Sequence, residues 1–185
     1  GNVKYKQDKN VYDPVSDITI DSLQINKILL GDLEFSIKGN EKFNQFNVES
    51  ALKQDGNERF FLNGDVNFVG QQSALALEAG FDKFDLAPFG PLLGSVLSDV
   101  RGNATGRATI AGSLSEPEID GRLYLNDAGM RVPYLNVDYA FEKNAIIDVT
   151  EHQFSFRKVE VSDTKYDTKG VLDGSIRHKK FGDWQ

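Results

Sequence analysis

Arg101–Leu125, RGNATGRATIAGSLSEPEIDGRLYL, holds two extended runs joined at Ser115-Glu116-Pro117. In the first run Gly102, Ala104, Gly106, Ala108, Ile110, Gly112 and Leu114 share one parity. Arg101, Asn103, Thr105, Arg107, Thr109 and Ser113 hold the other, broken only by Ala111. In the second run Ile119, Gly121, Leu123 and Leu125 oppose Glu118, Asp120, Arg122, Tyr124 and Asn126. Successive residues of a strand point to opposite faces, so this stretch predicts a sheet with one wet face and one apolar face. Glycine weakens a strand and marks a bend or the close approach of another group. Its recurrence in the apolar row at Gly64, Gly102, Gly106, Gly112, Gly121, Gly170 and Gly174 predicts a sheet that curls and leaves a groove.

Working outward, the same alternation recurs along the chain. Residues 1–16 are polar and read as a loose lead-in; residues 17–185 read as one β domain. Ile18 and Ile20 share a parity, as do Leu23 and Ile25. Gly31-Asp32, Gly39-Asn40, Asp55-Gly56-Asn57, Gly70-Gln71-Gln72, Asn126-Asp127-Ala128-Gly129 and Lys143-Asn144 read as turns. Between them lie apolar rows such as Phe60, Leu62, Val66 and Phe68, with Phe61 breaking the pattern, then Leu75, Leu77, Ala79 and Phe81. Val137, Tyr139 and Phe141 form another row, and Leu172 and Ile176 the last. The fold class is therefore all-β. One exception is Leu86–Val100, where Leu92, Leu93, Val96, Leu97 and Val100 recur at helical spacing. It predicts a short amphipathic helix capping an apolar opening; contact with a membrane surface is the alternative, disfavoured by the lack of flanking Trp, Lys or Arg.

With 185 residues, 39% hydrophobic and 26% charged, the chain is long enough to bury a core. A net charge of -7 with scattered basic residues argues against a nucleic-acid partner. The absence of cysteine removes disulfides and thiol chemistry. No apolar run is long enough to span a membrane as a helix. The chain opens Gly-Asn-Val and closes HKKFGDWQ, which reads as a segment of a longer protein.

Candidates for chemistry are few. His152 and His178 have no metal-spaced partner and read as strand-end residues. Asp163, Asp167 and Asp173 read as turn formers beside Ser and Thr. Glu116, Glu118 and Asp120 lack the loop spacing of a calcium site, and Gly102–Gly106 lacks the Lys and helix of a phosphate loop. Trp184 reads as packing. No nucleophile–base set, metal site or cofactor fingerprint stands out, so the chain reads as a non-enzyme.

The block Asp85-Leu86, Pro88-Phe89, Arg101-Gly102, Gly106, Ile110–Leu114, Pro117, Ile119-Asp120-Gly121 and Leu123-Tyr124-Leu125 resembles the C-terminal domain of the TamB (translocation and assembly module) family, within the wider AsmA-like group. Lys169–Ile176, KGVLDGSI, is similar to that family's recurring strands. The resemblance covers roughly residues 60–185. It implies a sheet folded into a taco-like trough with an apolar interior. It also implies a periplasmic segment of a diderm protein anchored in the inner membrane and associated with phospholipid transport, outer-membrane biogenesis and protein secretion. The implied partners are phospholipid or another acyl-chain ligand and a BamA-family outer-membrane barrel. No catalytic residue, cofactor or metal comes with it.

The residues expected to line a lipid-binding groove are Phe60, Leu62, Val66, Phe68, Leu75, Leu77, Phe81, Ile110, Leu114, Ile119, Leu123, Leu125, Val137, Tyr139, Phe141, Leu172 and Ile176, with Leu92, Leu93, Val96 and Leu97 at its end. Each acyl methylene moved into such a groove gains about 0.8 kcal/mol. Two other roles compete. The sheet could scaffold outer-membrane protein assembly by pairing its edge with a client strand. A closed sandwich acting as an adhesin or sugar binder would instead need a packed core and a row of surface aromatics.

Overall fold

Alternation at period two, interrupted by turn residues, produces an antiparallel meander. The computed structural model describes residues 2–8, 11–93 and 97–179. Its strands are β1 (Asn2–Asp8), β2 (Val11–Ile25), β3 (Ile28–Gly39), β4 (Gln45–Gln54), β5 (Asn57–Val69), β6 (Gln72–Asp85), β7 (Ser98–Gly112), β8 (Pro117–Val132), β9 (Val137–Phe141), β10 (Ala145–Thr150), β11 (Gln153–Asp163) and β12 (Lys169–Arg177). They pair in chain order from β1 to β8, followed by β10, β11 and β12. β9 and β10 lie end to end between β8 and β11, each pairing with both.

Several expectations require correction. Within the expected loose lead-in over residues 1–16, the described residues form strands, because β1 pairs with β2 from Asn2↔Asp17 to Asp8↔Val11. The polar composition hid a period of two, in which Val3 and Tyr5 alternate with Lys4 and Lys6. The expected turns at Gly31-Asp32 and Asn126–Gly129 lie inside β3 and β8. The reversal between β2 and β3 falls instead at Asn26-Lys27, whose φ values of 52° and 67° suit a tight two-residue hairpin. The amphipathic helix is a 3-10 turn over Ala87–Leu93. Pro88 and Pro91 cannot donate to an α-helical ladder, and Phe89 N–H donates to the Leu86 carbonyl at 3.1 Å instead. Val96 and the side chains of Leu92 and Leu93 lie outside the described residues, and β7 has begun by Ser98.

A single device explains why the apolar parity drifts. Ser22, Lys83, Asp127 and Lys158 have φ values of 55°, 48°, 49° and 52°. Each sits where the apolar row changes parity: between Ile20 and Leu23, Phe81 and Phe84, Leu125 and Ala128, and Phe156 and Val159. One inserted residue opposes none on the partner strand, shifts the face by one and bends the strand. The β11–β12 register slips at that last site, between Phe156 and Val159.

The chain divides into two compact units. One comprises residues 1–24, 29–80 and 108–119; the other comprises residues 25–28, 81–107 and 120–185. In the first unit, cross-strand rows Leu33–Leu52–Phe60, Phe35–Ser50–Leu62 and Ile37–Val48–Gly64 build one face. Leu30, Val48, Leu52, Leu75 and Ala79 are its buried apolar residues. Phe61, which breaks the alternation of β5, points to the other face. There its ring fills the space that a side chain at Gly80 would need. In the second unit Ala104, Leu125, Ala128, Ala145, Phe156 and Val159 form the core, with Leu123, Phe141, Ile147, Phe154, Leu172 and Ile176 packed against it. Phe141 stacks on Phe156 at 6.1 Å between ring centroids.

Candidate functional site

The candidate site is the apolar face of each unit, and its side chains are placed by register. In the first unit Phe60, Leu62 and Val66 lie opposite Leu52, Ser50 and Phe46, so they share one face. Phe68 joins them through an edge-on contact with Phe46 at 5.8 Å. Because Phe61 covers Gly80 on the opposite face, Leu75 and Leu77 fall on the same side as Phe60. Burial alternates along β7 and β8 as the opening stretch predicts: Ala104, Ala108 and Ile110 are more buried than Arg107, Thr109 and Ala111. Ile119, Gly121, Leu123 and Leu125 are likewise more buried than Glu118, Asp120, Arg122 and Tyr124.

In the second unit Leu123 pairs with Ile147, Ile147 with Phe156, and Phe154 with Ile176. Val159 pairs with Leu172. Val137 and Tyr139 pair with Val132 and Met130, while Phe141 pairs with Val161. Phe81 contacts Phe84, which contacts Phe89, each with ring centroids 5.5 Å apart. Leu97 is buried.

Leu114 is the exception. It follows Gly112, which ends β7 with φ 76°, and lies in the hairpin loop 58% exposed. The face also includes residues left out of the expected set: Leu33, Phe35, Ile37, Phe46, Ile147, Phe154 and Phe156. The alternation that selects Leu123 selects these equally well.

The degree of burial matters most. Among the described phenylalanines only Phe156 is buried, although the chain carries 13. The other inward rings keep part of their surface in reach of solvent. A sealed β-sandwich of this size would bury its aromatics between two sheets.

The opposite face is charged. In the first unit Lys53–Glu34 and Lys38–Glu49 pair at 2.8 and 3.2 Å. Glu34, Lys53 and Glu49 line an open depression of 650 Å³ together with Asp17, Ser36 and Asn47, and with the apolar Ile18, Phe35 and Ala51. In the second unit Asp148 accepts Arg122 at 2.7 Å and Arg157 at 3.2 Å. The Arg122 hydrogen bond, against some burial, holds the Asp148 carboxyl below its ordinary value. Burial pushes Asp138 upward, but hydrogen bonds from Arg101 and Thr164 and the charges of Arg101 and Arg131 leave it lowered.

Of the candidates for chemistry, Asp163 organises the loop after β11. Its N–H donates to the Thr168 carbonyl at 2.8 Å, and its carboxylate accepts Lys165 N–H at 2.8 Å. Glu116 and Glu118 are exposed in the β7–β8 hairpin. Among the described residues no group of three or more His, Asp or Glu side chains could hold a metal ion. Trp184 lies outside the described residues.

The two histidines are brought together. His178 N–H donates to the His152 carbonyl at 2.9 Å, one step beyond the Gln153↔Arg177 pair. His152 is exposed, whereas His178 is only 6% exposed and lies on the Phe154 ring at 5.3 Å. Burial, then the charge of His152, lowers the His178 pKa, partly offset by Glu151 and a hydrogen bond with the Thr150 backbone. His178 therefore binds its proton more weakly folded than unfolded. Its contribution to stability is intact above the unfolded value and falls away as pH drops through about 6.5. The lowered Asp138 and Asp148 act in the same direction at lower pH. Urea midpoints measured from pH 8 to 5 should fall with acidity, and His178→Phe should flatten the part of the curve near pH 6.5.

No family model, no curated protein and no solved structure matches the chain.

Proposed function

We propose that the apolar faces hold phospholipid acyl chains in a taco-like trough. The chain would then act as a periplasmic segment of a TamB-like protein that moves phospholipid between inner and outer membrane. One observation carries this proposal: an inward apolar face rich in phenylalanine is only partly buried along several neighbouring strands. A wall of that kind offers an acyl chain apolar contact without polar stopping points, and the gain is about 0.8 kcal/mol per methylene. The charged opposite face keeps the sheet in water. The segment needs no catalytic group for this role. A BamA-family barrel and an inner-membrane anchor complete the proposed assembly.

A photo-crosslinking phenylalanine analogue at Val66 or Ile176 should label with phospholipid during expression in a diderm host, and one at Glu49 should not. Equal labelling at the three positions would sink the trough.

The strand order favours one second role. β1 and β12 terminate the sheet, and among the described residues β12 pairs only with β11. Such an edge can accept a client strand and scaffold barrel assembly. Crosslinking from Val171, 62% exposed on β12, to a protein rather than a lipid would favour it.

A further inference from the structure

The second unit carries a set of loops at one end whose exposure the trough does not explain. The β8–β9 connection, Pro133–Leu135, is a 3-10 turn with no buried residue. Asn136, at φ 54°, closes it by donating its N–H to the Pro133 carbonyl at 3.0 Å. The turn holds Tyr134 94% exposed and Leu135 56% exposed. The β11–β12 loop lies at the same end, because Thr164 donates to the Asp138 carboxylate at 2.9 Å near the start of β9. That loop presents Tyr166, 60% exposed, with the Lys165 ammonium 5.0 Å above its ring.

Cations surround these apolar tips. Arg131 precedes the 3-10 turn, with a guanidinium 4.0 Å from Asp99 at the start of β7. Lys165 and Lys169 flank Tyr166. Lys27 is exposed in the β2–β3 turn, which Asn26 ties to this end by donating to the Pro88 carbonyl at 2.8 Å. The carboxylates here are the exposed Asp99 and Asp167 and the part-exposed Asp138, the last paired with Arg101, so Lys27, Arg131, Lys165 and Lys169 leave cations in excess locally in a chain of net charge -7.

We propose that this end of the second unit docks on an anionic phospholipid surface, with Tyr134, Leu135 and Tyr166 entering the headgroup region and Lys27, Arg131, Lys165 and Lys169 meeting lipid phosphates. Three features favour a bilayer over a protein partner. The apolar groups stand on two projecting loop tips, Tyr134 with Leu135 on one and Tyr166 on the other, which suits penetration of a fluid phase and not the large buried area of a stable protein interface. Two of the three are tyrosines, whose rings are amphipathic in the way that interfacial residues require. The flanking charge is positive, the sign that anionic lipids attract. The inference goes beyond acyl-chain transport and does not depend on it, since no groove residue is used.

The test is flotation of the 185-residue chain with vesicles of equal parts phosphatidylethanolamine and phosphatidylglycerol. The wild-type chain should float. The triple variant Tyr134→Ser, Leu135→Ser, Tyr166→Ser should lose binding by about ten-fold or more, because it removes three apolar insertions. Vesicles of phosphatidylcholine alone should bind more weakly. All three positions are exposed, so the thermal midpoint of the variant should match wild type. If it does not, Tyr134→Ser with Leu135→Ser is compared alone. The groove variant Leu123→Asp should float like wild type even where acyl-chain capture is lost, which separates failure of docking from failure of transport. A wild-type chain that stays with the free protein, or loop variants that float equally well, would overturn the docking surface.

Discussion

Gly106→Val should destabilise the chain by about 3 to 5 kcal/mol, enough to unfold a marginal domain. Gly106 has φ 157°, at the edge of the region that side chains avoid. A Cβ there would collide with the Arg122 carbonyl oxygen of β8 and lie 3.0 Å from the Leu123 Cα. Both are backbone, held by the ladder, and cannot swing aside. Gly64 repeats the arrangement in the first unit, with φ 141° and the Ala76 carbonyl in the same place. The glycines in the apolar rows at these sites let adjacent backbones close up. Gly170→Ala is the contrasting substitution. A Cβ there meets only the Val161 Cγ2, at 3.7 Å, and the effect should be neutral or stabilising by about 0.5 kcal/mol. Urea denaturation of the three proteins separates these outcomes; equal midpoints for Gly106→Val and wild type would remove close strand approach as the role of the glycine.

Phe156→Ala should cost about 3 to 5 kcal/mol. Its ring is 6% exposed, stacks on Phe141 and occupies a row between Ile147 and Gly174. Gly174 contributes no side chain to fill the void. By contrast Phe68→Ala should cost less, because that ring is only partly buried and loses less transfer energy. A difference of less than about 1 kcal/mol between the two would mean that the inward rings are equally buried, against a half-open face.

Much of the sheet was legible in the chain. The run from Ala104 to Leu125 alternates in burial as its residues alternate in polarity, because a strand with one solvated face imposes that period. Turn residues located the reversals at Gly56 and Gly70, where φ is positive. The bulges misled. Asp127 carries turn chemistry but sits in a bulge within β8, and Gly31 sits within β3 where the Lys53 carbonyl takes the place of a side chain. The parity changes beside Ser22, Lys83, Asp127 and Lys158 are the signal that tells a bulge from a turn. The Leu92–Val100 spacing suggested a helix because periodicity ignores backbone donors, and Pro88 and Pro91 supply none. Tertiary pairs such as Arg101–Asp138, 2.8 Å apart, join residues far apart in the chain and left no local trace.

Native mass spectrometry with lipid extraction, on the chain purified from a diderm host, tests the central proposal most directly. Bound phospholipid that is absent from a folded Leu123→Asp variant is the predicted result. A well-folded chain that never carries lipid, with Leu123→Asp indistinguishable from wild type, would contradict an acyl-chain trough and leave the apolar faces as ordinary packing surface.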